Sequence, residues 1–290
     1  MTDGAPVRLR TVFGRYPHIA PLREGRLTDP RVAFDFVEVE PVPSAFAPMV
    51  RRLEYDLCEM AIVSALQAFA YGKPLVLLPA VVASRLQRGC LIRHRDRPVG
   101  PRDLIGARVG VRSFTQTTGM WVRAALFEDH SIEAGQSIWC VREGAHLDEY
   151  VPPPFVTWDR SGKSLPDRLR DGELAAAIMG ADLPKDPEFV PVLADHAAAD
   201  RAWHERHGWV PINHMAVVRA DVAAVEPEAV RAAWRLLREA ADGAYGTMFG
   251  TSALREPLLF IEEEARRQGL LPRPVDVDEL LEPAWRLLGE

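Results

Sequence analysis

The chain has 290 residues, of which 48% are hydrophobic, and a formal net charge of −6 at pH 7. This length fits one large domain or two of medium size, and the hydrophobic share supplies a core, which excludes a globally disordered protein. The acidic balance argues against a nucleic-acid or anionic-membrane partner, because both bind basic surfaces. The cysteines Cys58, Cys90 and Cys140 form no CxxC pair, so neither a disulfide framework nor a zinc knuckle is indicated, and we expect buried free thiols.

The N-terminal segment and the hydropathy pattern bear on location. The stretch MTDGAPVRLRTVFG carries Asp3 and two arginines and lacks the continuous apolar region of a secretory signal. No run of about 18 or more uncharged apolar residues occurs, so no transmembrane helix is expected. We therefore expect a cytoplasmic protein without membrane insertion.

The first part of the chain alternates strand and helix patterns. The predicted elements are a strand over 7–13, a strand over 32–40, a helix over 43–55, a strand over 57–63, a short helix over 64–72 and a strand over 74–82. The last of these is an apolar run suited to a buried parallel strand. This alternation indicates a parallel or mixed sheet covered by helices.

The same pattern restarts near residue 90 and gives way to helices at the C-terminus. Strands are predicted over 90–94, 107–112, 137–141, 175–180, 189–194 and 212–219, and helices over 116–130, 164–174, 227–246, 257–269 and 275–289. The proline-rich segment 152–162 is predicted to be a surface loop. We therefore expect two α/β domains with mixed sheets and a double-crossover hinge: lobe one from residues 1–93 and 214–290, and lobe two from residues 94–213. Ligands of such folds bind at the carboxyl ends of strands, so a ligand cleft between the lobes is expected.

Short hydroxyl and amide side chains collect where the helix over 116–130 begins. Thr115, Gln116, Thr117 and Thr118 stand there, beside backbone N–H groups that a helix start leaves unpaired and at the positive end of the helix dipole. Such an arrangement binds a carboxylate or phosphate without a lysine. The alternative is that one threonine caps the helix and the others are solvated.

Two arginines follow the buried strand over 74–82. The segment SRLQRG places Ser84, Arg85 and Arg88 where a cleft-facing strand end is expected. Arginine clamps carboxylates through two parallel hydrogen bonds, so this segment is a candidate carboxylate site. A pair of solvated surface arginines is the alternative.

A carboxylate and two histidines are candidates for acid–base chemistry. Glu59 lies inside an apolar strand, where a carboxylate is costly unless it is paired or exposed at a cleft, although it could also point to a solvent edge. His18 follows the first strand and His214 opens the strand after the second crossover, but either alone is compatible with a structural role. His204 and His207 lack a third ligand, so no metal site is expected.

The common cofactor motifs are absent. The chain has no GxGxxG after the first strand, no Walker loop, no GxSxG elbow and no HExxH. Neither a nucleotide enzyme nor a zinc enzyme is therefore supported.

Several segments together resemble one family. YDLCEMAIVSAL is similar to FDVSEMSLSSYL, ARVGVRSFTQTTGMWVRAAL is similar to RVGVPEYQMTAAVWVRGIL, and PINHMAVVR is similar to PIMHVVAIR, the patterns of the 4,5-dihydroxyphthalate decarboxylase family. This family has the type 2 periplasmic-binding-protein fold and includes many proteins labelled as ABC-transporter substrate-binding proteins. The resemblance covers nearly the whole chain, although His18 and Ala181 stand where the family has arginine. The matching positions are Glu59, Ser64, Ser84, Arg85, Arg88, Thr117, Trp121, Arg123 and His214.

The resemblance implies a cofactor-independent, non-oxidative decarboxylase that acts on a hydroxylated aromatic carboxylic acid. In this hypothesis His214 or His18 donates the proton and Glu59 engages a ring hydroxyl. The expected substrate contacts are Arg85 and Arg88 on a carboxylate, Thr115, Gln116 and Thr117 around an anion, Trp121 against the ring, and Ser64, Ser84 and Tyr16. No metal or redox cofactor is required.

Two other functions remain open. The first is a non-catalytic solute-binding protein for a small aromatic or carboxylate ligand. The second is another lyase of the same broad fold, acting on chorismate-derived compounds, which no motif here selects. Apolar stripes in the C-terminal helices either cover the core or form the seam of a homodimer.

Overall fold

Two β-sheets organise the chain, one in each of two compact units. The computed structural model describes residues 5–180 and 183–289. Unit 1 runs to Ser84, resumes over Ile212–Glu262 and ends with the segment from Leu271, whereas unit 2 takes Arg85–Pro211 and Glu263–Leu270. The three cysteines are free and buried, as expected.

The helices and strands follow each other in the order that an α/β protein requires. Within the described residues the strands are β1 (Val7–Val12), β2 (Val32–Phe36), β3 (Leu57–Ala61), β4 (Leu75–Ser84), β5 (Leu91–His94), β6 (Arg108–Val111), β7 (Ile138–Val141), β8 (Val156–Trp158), β9 (Ala176–Ile178), β10 (Phe189–Pro191) and β11 (Ile212–Arg219). The α-helices in the same residues are α1 (Ala20–Arg23), α2 (Phe46–Arg52), α3 (Ile62–Ala70), α4 (Thr117–His130), α5 (Leu165–Arg170), α6 (His196–His207), α7 (Ala220–Val225), α8 (Pro227–Ala240), α9 (Thr251–Arg267) and α10 (Val277–Leu288). In this part of the chain no helix has both the length and the apolar character of a membrane span.

The sheet of unit 1 is mixed and has the order β2-β1-β3-β11-β4. β1 runs parallel to β2 and β3, whereas β11 runs antiparallel to both β3 and β4. The prediction of a parallel strand over 74–82 is therefore wrong. The apolar run of β4 reflects burial, since Leu78 packs in one core with Val230, Trp234 and Leu237 of α8, and burial does not fix strand direction.

The sheet of unit 2 is also mixed, with the order β10-β5-β9-β6-β7-β8. β6 runs parallel to β7 and β9, and β5 is antiparallel to β9 and β10. Because the ladder partners of β5 lie in this sheet, residues 85–93 belong to unit 2 and not to the first lobe, where the predicted boundary placed them. Two mixed α/β sheets agree with the predicted fold class.

Some elements differ from the sequence prediction. The chain makes a second excursion into unit 2 over Glu263–Leu270, which the double crossover did not include. α6 was not predicted because its sequence is mostly polar and it buries only Asp200 and Trp203. β8 lies inside the segment that was predicted to be a loop.

A glycine in the middle of β6 sets the packing distance of α5. A Cβ on Gly110 would lie 2.6 Å from Leu174 Cδ1 and 2.7 Å from Leu165 Cδ2. We predict that Gly110→Ala lowers the free energy of unfolding by about 1–3 kcal/mol through overpacking, as measured by urea denaturation. Gly100→Ala is the control, because its Cβ would lie 3.6 Å from the nearest atom, Asp103 Oδ2. Equal losses in the two variants would contradict this account of Gly110.

Candidate functional site

A fully buried carboxylate is the centre of the polar cluster in unit 1. The Glu59 side chain is 0% exposed. Its Oε2 accepts from the Gly14 backbone N–H at 2.6 Å, and its Oε1 accepts from the Tyr16 hydroxyl at 2.9 Å and from His214 Nδ1 at 2.8 Å. Burying a carboxylate without donors would cost several kcal/mol or more, so these three groups make its position tenable. Both oxygens accept from protein groups, and a contact between Glu59 and a substrate hydroxyl stays a prediction.

Strand register explains why Glu59 meets His214. In the antiparallel pair of β3 and β11, Glu59 lies opposite Ala216 and His214 lies opposite Ala61. Side chains two positions apart on a strand share a face, so Glu59 and His214 are diagonal neighbours on one face of the sheet.

Parallel pairing brings the end of β1 to the same place. Val12 of β1 is paired with Cys58 of β3, and Gly14 follows two residues later, beside Glu59. The cluster therefore lies at the carboxyl ends of β1 and β3, where open α/β sheets bind their ligands.

The His214 ring is held in one orientation. Its Nδ1 contacts Glu59, and the ring packs edge-on against Phe46 with centroids 5.0 Å apart and an interplanar angle of 83°. Because an ionised carboxylate only accepts hydrogen bonds, Nδ1 carries the proton of this contact. Nε2 makes no hydrogen bond within the described residues, and the side chain is 17% exposed. Nε2 is therefore the nitrogen available to exchange a proton.

Tyr16 and His18 form a stacked pair beside this carboxylate. Their ring centroids are 5.3 Å apart and the planes differ by 5°. Burial, together with the charge of Glu59, raises the pKa of Tyr16 well above its ordinary value, so the phenol stays protonated and donates. Burial lowers the pKa of His18, and its buried Nε2 has no hydrogen-bond partner in the described segments.

A second polar cluster lies entirely within unit 2. Arg85 Nη2 donates to Thr118 Oγ1 at 3.0 Å. A Cβ on Gly180 would lie 2.9 Å from Arg85 Nη2 and 3.4 Å from Gln116 Nε2, so these side chains converge beside the Gly180 backbone. Arg85 and Gln116 are both partly exposed, and guanidinium and amide N–H groups are donors that anions accept from.

The start of α4 contributes further polar groups to this cluster. Gln116 is the N-cap residue, but its side chain makes no cap hydrogen bond. Ser113 Oγ and Thr115 Oγ1 are 3.2 Å apart, and the buried Thr117 Oγ1 and Gln116 Oε1 have no partner among the described residues. The structure thus brings together Thr115, Gln116 and Thr117 at the start of α4. The side chain of the N-cap residue, Gln116, does not cap this helix.

Arg88 is the main correction among the predicted contacts. Its guanidinium is buried and holds Asp129 through Nε at 2.7 Å and Nη2 at 3.0 Å, while Nη1 donates to Asp200 at 3.1 Å. All three nitrogens are engaged by protein carboxylates, so Arg88 connects the chain before β5 to α4 and α6 and is not free to grip a ligand.

Three other predicted contacts are bonded or packed within the protein. The partly buried Ser84 donates to the Gly246 carbonyl, and Ser64 of α3 is buried. Trp121 is buried in an aromatic cluster, with its ring centroid 5.8 Å from those of both Trp203 and Trp209. Their contacts with a ligand stay predictions. Ala181, where the family pattern has arginine, lies outside the described residues.

Sequence reasoning missed several groups that complete these clusters. Gly14 contributes a backbone donor, Phe46 packs on His214, and Gly180 lies beside Arg85. Thr118 belongs to the predicted hydroxyl-rich run and accepts from Arg85, whereas a backbone donor leaves no signal in side-chain chemistry. Within the described ranges no group of three or more His, Cys, Asp or Glu side chains is placed to hold a metal ion.

Removal of the Arg88 charge tests its structural role. We predict that Arg88→Leu lowers the free energy of unfolding by about 3–5 kcal/mol, because Asp129 and Asp200 lose their common cation. Chemical denaturation measures this loss. Arg255→Leu, which breaks an exposed ion pair with Asp278, is the control and should change stability far less. Similar effects of both substitutions would contradict the assignment.

The partly buried His18 predicts a pH dependence of stability. The pKa of His18 is lower in the folded than in the unfolded protein. Below about pH 6.5 this histidine therefore binds a proton in unfolded chains but not in folded ones. Stability is therefore lost as the pH falls from that value towards the folded pKa. We predict a smaller loss for His18→Phe, which retains an aromatic ring against Tyr16, when unfolding free energies at pH 8 and pH 5.5 are compared. The same loss in both proteins would show that His18 is not responsible.

Curated relatives in sequence share one activity. The chain is 26% identical over 275 residues to 4,5-dihydroxyphthalate decarboxylase from Comamonas testosteroni. This alignment covers 90% of this chain and 82% of the relative. It is 29% identical over 181 residues to the protein of the same name from Pseudomonas putida. That alignment covers 59% of this chain and 70% of the relative. No family model matches the chain.

Solved structures with little sequence identity identify the fold. The Candida albicans CA3427 gene product, described as exhibiting the generic periplasmic binding protein structural fold, aligns with a TM-score of 0.55 at 12% identity over 96% of this chain and 95% of that one. The periplasmic aliphatic sulphonate-binding protein SsuA from Escherichia coli aligns with a TM-score of 0.51 at 14% identity over 96% and 84%. The predicted periplasmic-binding-protein-like fold and the predicted resemblance are both confirmed: the chain has this fold and is similar in sequence to 4,5-dihydroxyphthalate decarboxylases over 90% of its length.

Proposed function

We propose that the protein is a cofactor-independent decarboxylase that releases CO2 from a hydroxylated aromatic carboxylic acid. The observation that carries the proposal is the 2.8 Å contact between the buried Glu59 carboxylate and Nδ1 of the partly exposed His214. Similarity to two decarboxylases supports the same reaction class.

Non-oxidative decarboxylation of such an acid requires one proton. The ring hydroxyl donates electron density to the ring, and protonated His214 transfers its Nε2 proton to the ring carbon that bears the carboxylate. The bond from that carbon to the carboxylate then breaks, its electron pair restores the aromatic ring, and CO2 leaves. Water returns a proton to Nε2 and completes the cycle. A positioned histidine supplies this kind of general acid catalysis near neutral pH.

Glu59 acts as a positioning residue in this scheme. Its carboxylate holds Nδ1–H, fixes the ring orientation and stabilises the imidazolium while it carries the proton to be transferred. Gly14 and Tyr16 in turn hold the carboxylate, because each donates to it. The proton-donating group therefore enters the reaction already oriented, which avoids reorganisation during proton transfer.

The cluster in unit 2, taken by itself, is proposed to bind a carboxylate or another anionic group. Arg85 and Gln116 are its partly exposed members, and Thr118 is hydrogen-bonded to Arg85. Arg85 replaces the predicted pair of arginines, since Arg88 is neutralised by protein carboxylates.

A panel of hydroxybenzoates and dihydroxyphthalates tests the reaction. We predict loss of 44 daltons, the mass of CO2, from at least one acid incubated with the protein, with the product detected by mass spectrometry. His214→Asn should slow turnover by about 10²- to 10⁴-fold, because it removes the general acid. His130→Asn, at the far end of α4, is the matched control and should retain turnover. Absence of product from every acid, or an active His214→Asn variant, would count against the proposal.

A solute-binding protein is the second candidate. The observation that favours it is the shared fold with a periplasmic aliphatic sulphonate-binding protein. A bound ligand at 100 times its dissociation constant adds roughly 2.7 kcal/mol of stability, which a thermal-shift measurement detects. Stabilisation by an aromatic acid that is recovered intact would favour this candidate over the decarboxylase.

A further inference from the structure

A buried arginine lies beneath the start of α4 in unit 2. Arg123 is only 1% exposed, and its guanidinium stacks on the Phe114 ring at 4.1 Å and near the Trp139 ring at 5.1 Å. Nη2 donates to the Phe114 carbonyl at 2.8 Å, and Nε donates to Gln268 Oε1 at 2.7 Å. A charge at this depth is costly, since protein replaces most of its hydration.

Helix geometry directs this guanidinium to the first turn of α4. Side chains on a helix tilt towards its N-terminus and cover the turn four residues earlier, which for Arg123 is the turn at Gly119. A Cβ on Gly119 would lie only 3.1 Å from Arg123 Nη1, so the glycine leaves room for the charge. The bond to Phe114 also fixes the segment that leads into the helix.

No carboxylate contacts Arg123 among the described residues, which sets it apart from other buried arginines in unit 2. Arg88 is held by Asp129 and Asp200, and Arg168 is held by Asp159 at 2.9 Å. Gln268, the polar side-chain partner of Arg123, also donates to Glu264, but that carboxylate is paired with Arg267.

Three buried polar atoms at the start of α4 have no hydrogen-bond partner in the described residues. They are Nη1 of Arg123, Oε1 of the N-cap residue Gln116, and Oγ1 of Thr117, the first residue of the helix, whose side chain is almost fully buried. Burial lowers the pKa of Arg123 to about 9, but the guanidinium still carries its charge at neutral pH. The Glu264 carboxylate offsets this charge only in part, since burial still lowers the pKa, and the remaining charge adds to the positive end of the helix dipole.

We propose that Arg123 is the buried counter-charge that gives the start of α4 its affinity for a carboxylate or another oxyanion. The anion lies at the start of the helix, near the partly exposed Gln116 and the buried Thr118, while Arg123 acts from below through its field and by fixing Phe114. Arg123 is therefore a positioning residue. This inference concerns anion binding by unit 2 and stands without the decarboxylase proposal.

Titration with sodium sulfate at constant ionic strength tests this inference on the full chain. Backbone amide resonances of Thr117, Thr118 and Gly119 are followed by NMR, so that binding is read at the helix start and not through turnover. We expect saturable shifts in the wild-type protein, and at least about tenfold weaker binding in Arg123→Gln, because one full charge near the anion is lost. Arg93→Gln removes a partly exposed arginine of unit 2 that donates to the His94 carbonyl, and should leave sulfate affinity unchanged.

A second variant keeps the test decisive if Arg123→Gln fails to fold. Gln268→Glu retains the guanidinium but places a carboxylate beside it, so sulfate affinity should fall by a similar factor. Absence of saturable shifts in the wild-type protein, or wild-type affinity in a folded Arg123→Gln or Gln268→Glu variant, would overturn the inference. Because none of these measurements uses decarboxylation, failure of the decarboxylase proposal leaves their outcome unchanged.

Discussion

Burial of the Glu59 carboxylate is the constraint on which the unit 1 cluster depends. A carboxylate that is fully removed from water requires donors, and here they come from the segment after β1 and from β11. Satisfying one buried group therefore fixes the Gly14 backbone, the Tyr16 ring and the His214 ring at once. The same interaction that makes the strand interior stable also orients the group that we propose transfers the proton.

The buried arginines of unit 2 show that residue type alone does not define a role. Arg88 and Arg123 both lie in the interior, yet Arg88 is surrounded by Asp129 and Asp200 while Arg123 has a carbonyl and an amide as hydrogen-bond partners. A compensated guanidinium joins elements and exerts little field beyond its partners. A guanidinium whose hydrogen-bond partners are neutral, as in Arg123, keeps more of its field, which we propose attracts an anion.

Local patterns predicted most strands and the mixed α/β class, because alternation and apolar runs report burial directly. Long-range pairing was beyond them. Glu59 and His214 are 155 positions apart, and the partners of Arg88 lie 41 and 112 positions away, so the sequence could suggest Glu59 and His214 as candidates but could not show that they touch. For the same reason Arg88 was predicted to be a ligand contact. The sequence did not predict α6 because its residues are mostly polar and its apolar residues show almost no helical periodicity.

The surroundings of the two candidate histidines favour His214 over His18 as the proton donor. An imidazolium is stabilised by a carboxylate on its second nitrogen, and His214 has Glu59 there at 2.8 Å. The His18 ring stacks on Tyr16, and its buried Nε2 has no hydrogen-bond partner in the described residues. Burial lowers the pKa of His18, so at neutral pH the ring is uncharged and lacks the extra proton that a general acid donates. Its flat contact with Tyr16 instead helps to hold the phenol that donates to Glu59. His18 is thus linked to the proposed chemistry only through Tyr16 and then the carboxylate, and we propose that the proton passes through His214.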